Sequence, residues 1–292
     1  MPRLWIAALL SLLLAGPACA EPPRPLLWKV SDADNSVYLL GSFHLLKPGD
    51  YPLAPSTQAA FEDAEQVVFE LSPAELADPA GAMRMTQAAA RSDGRTLQQS
   101  LPQDTWQTLQ AYAALRQLPV ENFQGMDAWF VSLVISLTEM QRLGLDPGLG
   151  LDKHFAGRAT EAGKPTRGLE TFDQQIALFE GMSADEQRQA LEDSLDEVAE
   201  MQAEIQRMHA LWRSGDAEGL FEETGAELKA EYPGVYKRLN SDRNLAWLPR
   251  LRAMLDDSDS DDTLVVVGAL HLLGEDGVVA LLRAKGYRVE RL

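Results

Sequence analysis

Residues 38–46 read Tyr38-Leu39-Leu40-Gly41-Ser42-Phe43-His44-Leu45-Leu46, and residues 265–273 read Val265-Val266-Val267-Gly268-Ala269-Leu270-His271-Leu272-Leu273. One pattern occurs twice, near opposite ends of the chain: an apolar strand end, a glycine, two residues, a histidine and two leucines. Each part has a physical reason. A glycine at the end of a buried strand lets the backbone turn sharply or approach a neighbour where a Cβ would clash. The histidine then leaves at the strand's carboxyl end, where open α/β sheets hold their ligand crevices. The chain has only four histidines, so two of them at the same place in a repeat point to neighbouring strands and one shared site.

Outward from these strands the pattern is mixed. Leu26 to Val30 and Val37 to Leu40 are apolar runs separated by turn formers, which predicts a hairpin. Pro55-Ser56 opens a short helix through Phe61, and Gln66 to Phe69 is a β-rich run stopped by Pro73. Residues 74–160 are mostly helical, and Lys164 to Leu169 form another short strand. Ser183 and Glu186 make a capping box ahead of apolar positions Leu191, Leu195, Val198, Met201, Ile205 and Met208, which predict one long amphipathic helix ending near Gly215. Helix continues to Leu255 and an acidic turn spans Asp256 to Asp262. Thr263 to Val267 is a buried-type strand, Asp276 to Ala284 a helix and Tyr287 to Val289 a last strand. The expected fold is α/β (α+β): a mixed central β-sheet built from N- and C-terminal segments, with a large helical insertion in the middle. No Gly/Ser linker divides it, so residues 21–292 are read as a single domain.

Residues 1–20 read as a secretory signal, with Arg3, an apolar stretch from Leu4 to Leu14, and a small-residue cleavage site at Ala18-Cys19-Ala20. Cleavage near Ala20 implies export to the periplasm or medium and removes Cys19, the only cysteine. Lys plus Arg number 26 and Asp plus Glu 44, a net charge of −18 that becomes −19 without Arg3. That field repels phosphate backbones and anionic headgroups, so nucleic acid is excluded as a partner, and it draws divalent cations. Trp129 to Leu137, the longest later apolar run, is broken by serines and reads as a buried helix, with no stable membrane insertion. Nothing in the pattern sets an oligomeric state.

Two imidazoles converging from strand ends suit a divalent transition metal, with zinc, manganese and cobalt all admissible. Glu70, at the end of the Val67-Val68-Phe69 run, supplies the third group. Two histidines and a carboxylate with a position left open is an arrangement that activates water. His154 and His209 lack the repeat's context and read as helix surface residues, with His154 kept as a secondary candidate. Rival chemistry is missing: no Gly-x-Ser-x-Gly, no phosphate-cradling loop and no His-Glu-x-x-His occurs.

Taken in order, these motifs resemble the TraB/GumN family, which includes the Tiki proteins and has erythromycin-esterase-like and ChaN-like relatives. The likeness runs through Leu39 to Leu46, Val68 to Leu71, Leu143-Gly144-Leu145-Asp146-Pro147, Gly150 to Phe155, Gly163-Lys164-Pro165, Leu169-Glu170-Thr171 with Gln175, Arg243-Asn244 and Gly268 to His271. It implies a metal-dependent peptidase acting on a secreted or envelope peptide or protein. The implied site is His44, Glu70 and His271, with Glu70 as ligand or general base, Arg243 as an anion or oxyanion partner and Glu170 as a further member; Arg243 taken alone reads equally as a salt-bridged helix residue. Animal Tiki proteins carry a carboxyl-terminal membrane anchor, whereas this chain stops at Leu292, which implies a protein free in the periplasm or medium. The ChaN-like branch implies a rival, a non-catalytic metal- or haem-binding envelope protein. A third reading, with structural histidines, is an envelope scaffold.

Overall fold

The computed structural model describes residues 21–195, 198–256 and 261–292. The signal segment with its cleavage site, and residues 257–260 of the acidic turn, lie outside the described residues. The six described strands are β1 (Leu27–Ser31), β2 (Ser36–Ser42), β3 (Gln66–Leu71), β4 (Thr166–Glu170), β5 (Thr263–Gly268) and β6 (Arg288–Arg291). They form one mixed sheet in the order β4-β3-β5-β2-β1-β6.

The hairpin of β1 and β2 forms as its turn residues dictate. Asp32 Oδ1 accepts the backbone N–H groups of Asp34 and Asn35, an Asx turn, and Val30 then pairs with Val37. β5 lies parallel to β2 with Gly41 opposite Val267 and Ser42 opposite Gly268, so the two copies of the repeat run side by side, one residue out of step. β3 runs parallel to β5 and β4 parallel to β3, while β6 closes the far edge antiparallel to β1. All seven residues of β2 and the first five of β5 are buried. Continuous apolar strands of this kind belong to parallel sheets covered on both faces, and each buried Val or Leu contributes about 1.5–3 kcal/mol.

The sheet draws on more than the two termini. β4 comes from the middle of the sequence and divides the helical insertion into groups at residues 73–162 and 172–256. Helix Leu151–Ala162 packs on β3 and β5, and helix Asp242–Asp256 packs on β2 and on helix Val278–Ala284. The Ser183–Glu186 box is present, with Glu186 N–H donating to Ser183 Oγ at 3.2 Å and Ser183 N–H to Glu186 Oε2 at 2.7 Å. The expected long amphipathic helix is described as two, Ala184–Leu195 and Val198–Ser214, with residues 196–197 outside the described part. Trp129, Val131 and Ile135 of helix Ala128–Arg142 are buried, as their run predicts. Among the described residues no helix is long and apolar enough to cross a membrane.

His209 corrects the sequence reading. It is buried, not on the helix surface, with Nε2 2.8 Å from Asp50 Oδ2 and its ring stacked on Trp212. Ile205, His209 and Trp212 recur at i, i+4 and i+7 and form the inward stripe of helix Val198–Ser214, on which a histidine is admitted because Asp50 satisfies it.

Candidate active site

β4, β3, β5 and β2 are four adjacent parallel strands, and each ends in a residue singled out from sequence or leads into one. Glu170 closes β4, Glu70 lies one residue from the end of β3, His271 follows β5 in the turn Ala269–Leu272, and His44 follows β2. The carboxyl ends of parallel strands therefore deliver all four side chains to one edge of the sheet.

His44 is oriented from a distant segment. A Cβ on Gly150 would overlap the His44 carbonyl, so glycine there lets the start of helix Leu151–Ala162 press on the His44 backbone. Leu151 N–H donates to Phe43 C=O at 3.2 Å, and Asp152 in the first turn then reaches the strand end. Its Oδ2 accepts from Ser42 Oγ at 2.6 Å and lies 2.7 Å from His44 Nδ1. Asp152 raises the His44 imidazole above its ordinary pKa and leaves Nε2 pointing away from the pair. The His44 side chain is 57% exposed, whereas that of His271 is 8% exposed, so His44 is the one that incoming molecules meet first.

His271 is held by Asn244. The Asn244 amide N–H₂ donates to the Asp276 carbonyl at 2.9 Å, which turns its Oδ1 toward His271 Nδ1 at 2.7 Å. An amide oxygen only accepts, so the proton sits on Nδ1 and Nε2 carries a lone pair. Burial pushes the His271 pKa down to about 3, with Arg243 and His44 adding to it against Glu70, and the ring is neutral.

That lone pair is already engaged. Arg243 Nη1 donates to His271 Nε2 at 2.9 Å and to Leu239 C=O at 3.2 Å. Its Nε donates to Glu170 Oε1 at 2.8 Å, and its Nη2 to Glu70 Oε2 at 2.5 Å and to Glu170 Oε2 at 2.7 Å. A guanidinium has five N–H donors, and these five bonds use them all. The oxyanion role expected of Arg243 therefore requires one of the five to be given up. Trp247 Nε1–H adds a further bond to Glu170 Oε1 at 2.9 Å. Burial would raise the Glu70 carboxyl, but His271, Arg243, His44 and the Gly268 N–H hold it at about 2. Because His271 is neutral, the Arg243 charge, then His44, and the 2.7 Å bond from Gly268 N–H carry that effect.

Whether these groups suit a divalent metal is decided in front of Gly268. A Cβ placed there would stand 3.1 Å from Glu70 Oε1, 3.3 Å from His44 Nε2 and 3.6 Å from His271 Cδ2. Glycine leaves that space open, and borderline nitrogen and hard oxygen donors surround it, as zinc, manganese or cobalt require. Both imidazoles have their Nδ1 held by an outer partner, the arrangement that fixes ligating histidines. The donors fit, although among the described residues no three His, Cys, Asp or Glu side chains already stand at closed metal-binding spacing. His271 Nε2 is 3.9 Å from Glu70 Oε1, with Arg243 bonded to both side chains. His44, Leu45 and Glu70 separate two apolar hollows, of about 310 Å³ against Met140, Met208, Leu220 and Leu270, and about 360 Å³ against Leu71, Leu76, Leu137 and Pro147.

His154 stays outside this group. It is half-buried, its ring lies 4.8 Å from that of Tyr51, and it lines neither hollow. Asp152 and Asn244 lie within the sequence motifs, but no local pattern assigns either a role. Asp152 had one local signal, its place in the first turn of a helix, where an acidic residue is favoured with or without a site.

The model of the TraB/PrgY/gumN family matches residues 26–291 of the chain. The uncharacterized protein YbaP of Escherichia coli (strain K12) is 25% identical over 247 residues, covering 84% of this chain and 87% of that protein, and YbaP of Shigella flexneri matches equally. Metalloprotease TIKI2 of Danio rerio is 24% identical over an alignment of 303 residues, covering 87% of this chain and 58% of TIKI2. No solved structure matches the chain. A family model spanning nearly every described residue, together with paired Gly-x-x-His turns at adjacent strand ends, establishes that this chain belongs to the TraB/PrgY/gumN family.

Proposed function

We propose that this protein is an extracytoplasmic metal-dependent hydrolase, a peptidase acting on a secreted or envelope peptide or protein. The observation that carries the reading is the open space before Gly268, which His44, Glu70 and His271 approach from three neighbouring parallel strands. The likeness to Metalloprotease TIKI2 supports the same chemistry. The apolar hollows on either side suit a polypeptide lying across the centre. The secretory pattern of residues 1–20 supports an activity outside the cytoplasm.

His44 Nε2, His271 Nε2 and a Glu70 oxygen would hold the metal. When bound, a divalent transition metal supplies Lewis acidity toward water and a carbonyl. The chain supplies the rest. Asp152 and Asn244 keep the imidazole rings facing the open space. Glu70 serves there in one of two ways, as a ligand or as the base that takes the proton of the attacking water. Arg243 would offer a permanent positive charge to a carbonyl oxygen that gains negative charge, acting through whichever N–H it releases.

The test is cleavage of a peptide library by the purified protein loaded with zinc, manganese or cobalt. Metal-dependent cleavage lost in the His44→Ala, His271→Ala double variant is expected. Equal cleavage by the wild type and that variant would falsify the proposal.

A further inference from the structure

We propose that Arg243 and a divalent cation compete for one lone pair, that of His271 Nε2, so that this arginine sets how tightly the site holds metal. The inference rests on the metal-dependent reading above and goes beyond it. With Nδ1 turned to Asn244, Nε2 is the only atom of the His271 ring able to bind a cation, and Arg243 Nη1 occupies it at 2.9 Å. The same guanidinium is bonded to Glu70 Oε2 at 2.5 Å and to both oxygens of Glu170. It thus offsets half of the charge of the two carboxylates that would otherwise draw a cation, and its Nη1 donor is directed at the ring nitrogen a metal needs. Among the described residues no arginine donor is bonded to His44 Nε2, which borders the open space before Gly268. His271 must release the Arg243 donor before it can ligate, and that release frees one Arg243 N–H at the edge of the hollow.

Removing the arginine should therefore strengthen metal binding, opposite to what loss of a metal-supporting residue does. A hydrogen bond to a charged group is worth about 1.5–3 kcal/mol net, so Arg243→Met should tighten zinc binding by about tenfold or more. Zinc alone is the probe, read by titration calorimetry on the purified protein. Because Arg243→Met leaves two buried carboxylates without their counter-charge, Glu170→Gln and Arg243→Met/Glu170→Gln are measured beside it, and the charge-balanced pair should bind more tightly than Glu170→Gln alone. Dilute guanidinium chloride, far below denaturing concentration, should weaken zinc binding to the Arg243→Met protein and leave the wild type unchanged. In a His271→Ala background the gain from Arg243→Met should disappear. In the wild type, zinc should shift the guanidinium resonances of Arg243.

Equal or weaker zinc binding without Arg243, in both the single and the charge-balanced variant, overturns the competition while leaving the hydrolase reading intact. The same gain without His271 also overturns it, because the effect would then be general electrostatics. Unchanged Arg243 resonances at zinc saturation overturn it in the native chain. Zinc binding by no variant removes both this inference and the metal-dependent reading.

Discussion

His44 Nδ1 lies 2.7 Å from Asp152 Oδ2, across 108 positions of sequence. The same carboxylate oxygen accepts from Ser42 Oγ at 2.6 Å, so strand β2 and helix Leu151–Ala162 are tied at the point where the first histidine leaves the sheet. Asp152→Asn keeps the size of the side chain and removes the charge that orients the ring. A fall of about 10–100-fold in zinc affinity or in kcat/KM is expected, the usual effect of removing an outer partner of a ligating histidine. Titration calorimetry and peptide cleavage check it, and wild-type values in both would show that the pair does not orient His44.

Asn244 does for the second histidine what Asp152 does for the first, but from a fully buried position. Asn244→Ala should lower stability by about 1–3 kcal/mol, because His271 Nδ1–H and the Asp276 carbonyl both lose a buried partner. Zinc affinity should fall about tenfold or more in the same protein. Chemical denaturation and calorimetry on one preparation separate the two effects.

Two glycines should respond to alanine in opposite ways. At Gly268 the added methyl group meets only side-chain ends, Glu70 Oε1 at 3.1 Å and His44 Nε2 at 3.3 Å. Gly268→Ala should leave the protein folded with less than about 1 kcal/mol lost, yet reduce cleavage about 100-fold by displacing groups that must be placed to within an ångström. At Gly150 the methyl group meets the His44 backbone, which cannot turn aside. Gly150→Ala should cost about 3 kcal/mol and be visible as a lowered Tm. Thermal melts with activity assays decide both.

Acid should act through Asp50. Burial would raise this carboxyl, but bonds from His209, the Lys47 N–H and Arg213 bring it to about 2 from an ordinary 3.8. A carboxyl depressed in the folded state contributes stability that is present above the unfolded pKa and is lost as pH falls toward the folded one. The gap between wild type and Asp50→Asn should be about 2–3 kcal/mol at pH 7 and close between about pH 4 and pH 2. Urea unfolding across that range measures it, and a gap that persists at pH 2 would remove Asp50 as the cause.

Much of the fold was legible from a few local signals. The repeated strand, glycine and histidine placed β2 and β5 together, and the turn formers between Val30 and Val37 placed β1 beside β2. Glu70 was found because a carboxylate ending an apolar strand stands out. His209 was misread, since one residue on an amphipathic helix does not reveal which of two stripes faces inward until Asp50 is folded against it. Helical period likewise said nothing of the four residues that take the five hydrogen bonds of Arg243.

The sequence by itself determined the alternation of buried strands and helices, the mixed sheet and the pair of histidines at strand ends, because strand burial, glycine freedom and helix period are local properties written every two to four residues. Only the tertiary structure decided that Asp152 orients His44, that Asn244 fixes the His271 tautomer and that Arg243 spends all its donors on His271, the two glutamates and Leu239. The physical reason is range. A side-chain hydrogen bond leaves no period in the chain, and its partner is set by which strand ends and helix starts the packed sheet brings within 3 Å.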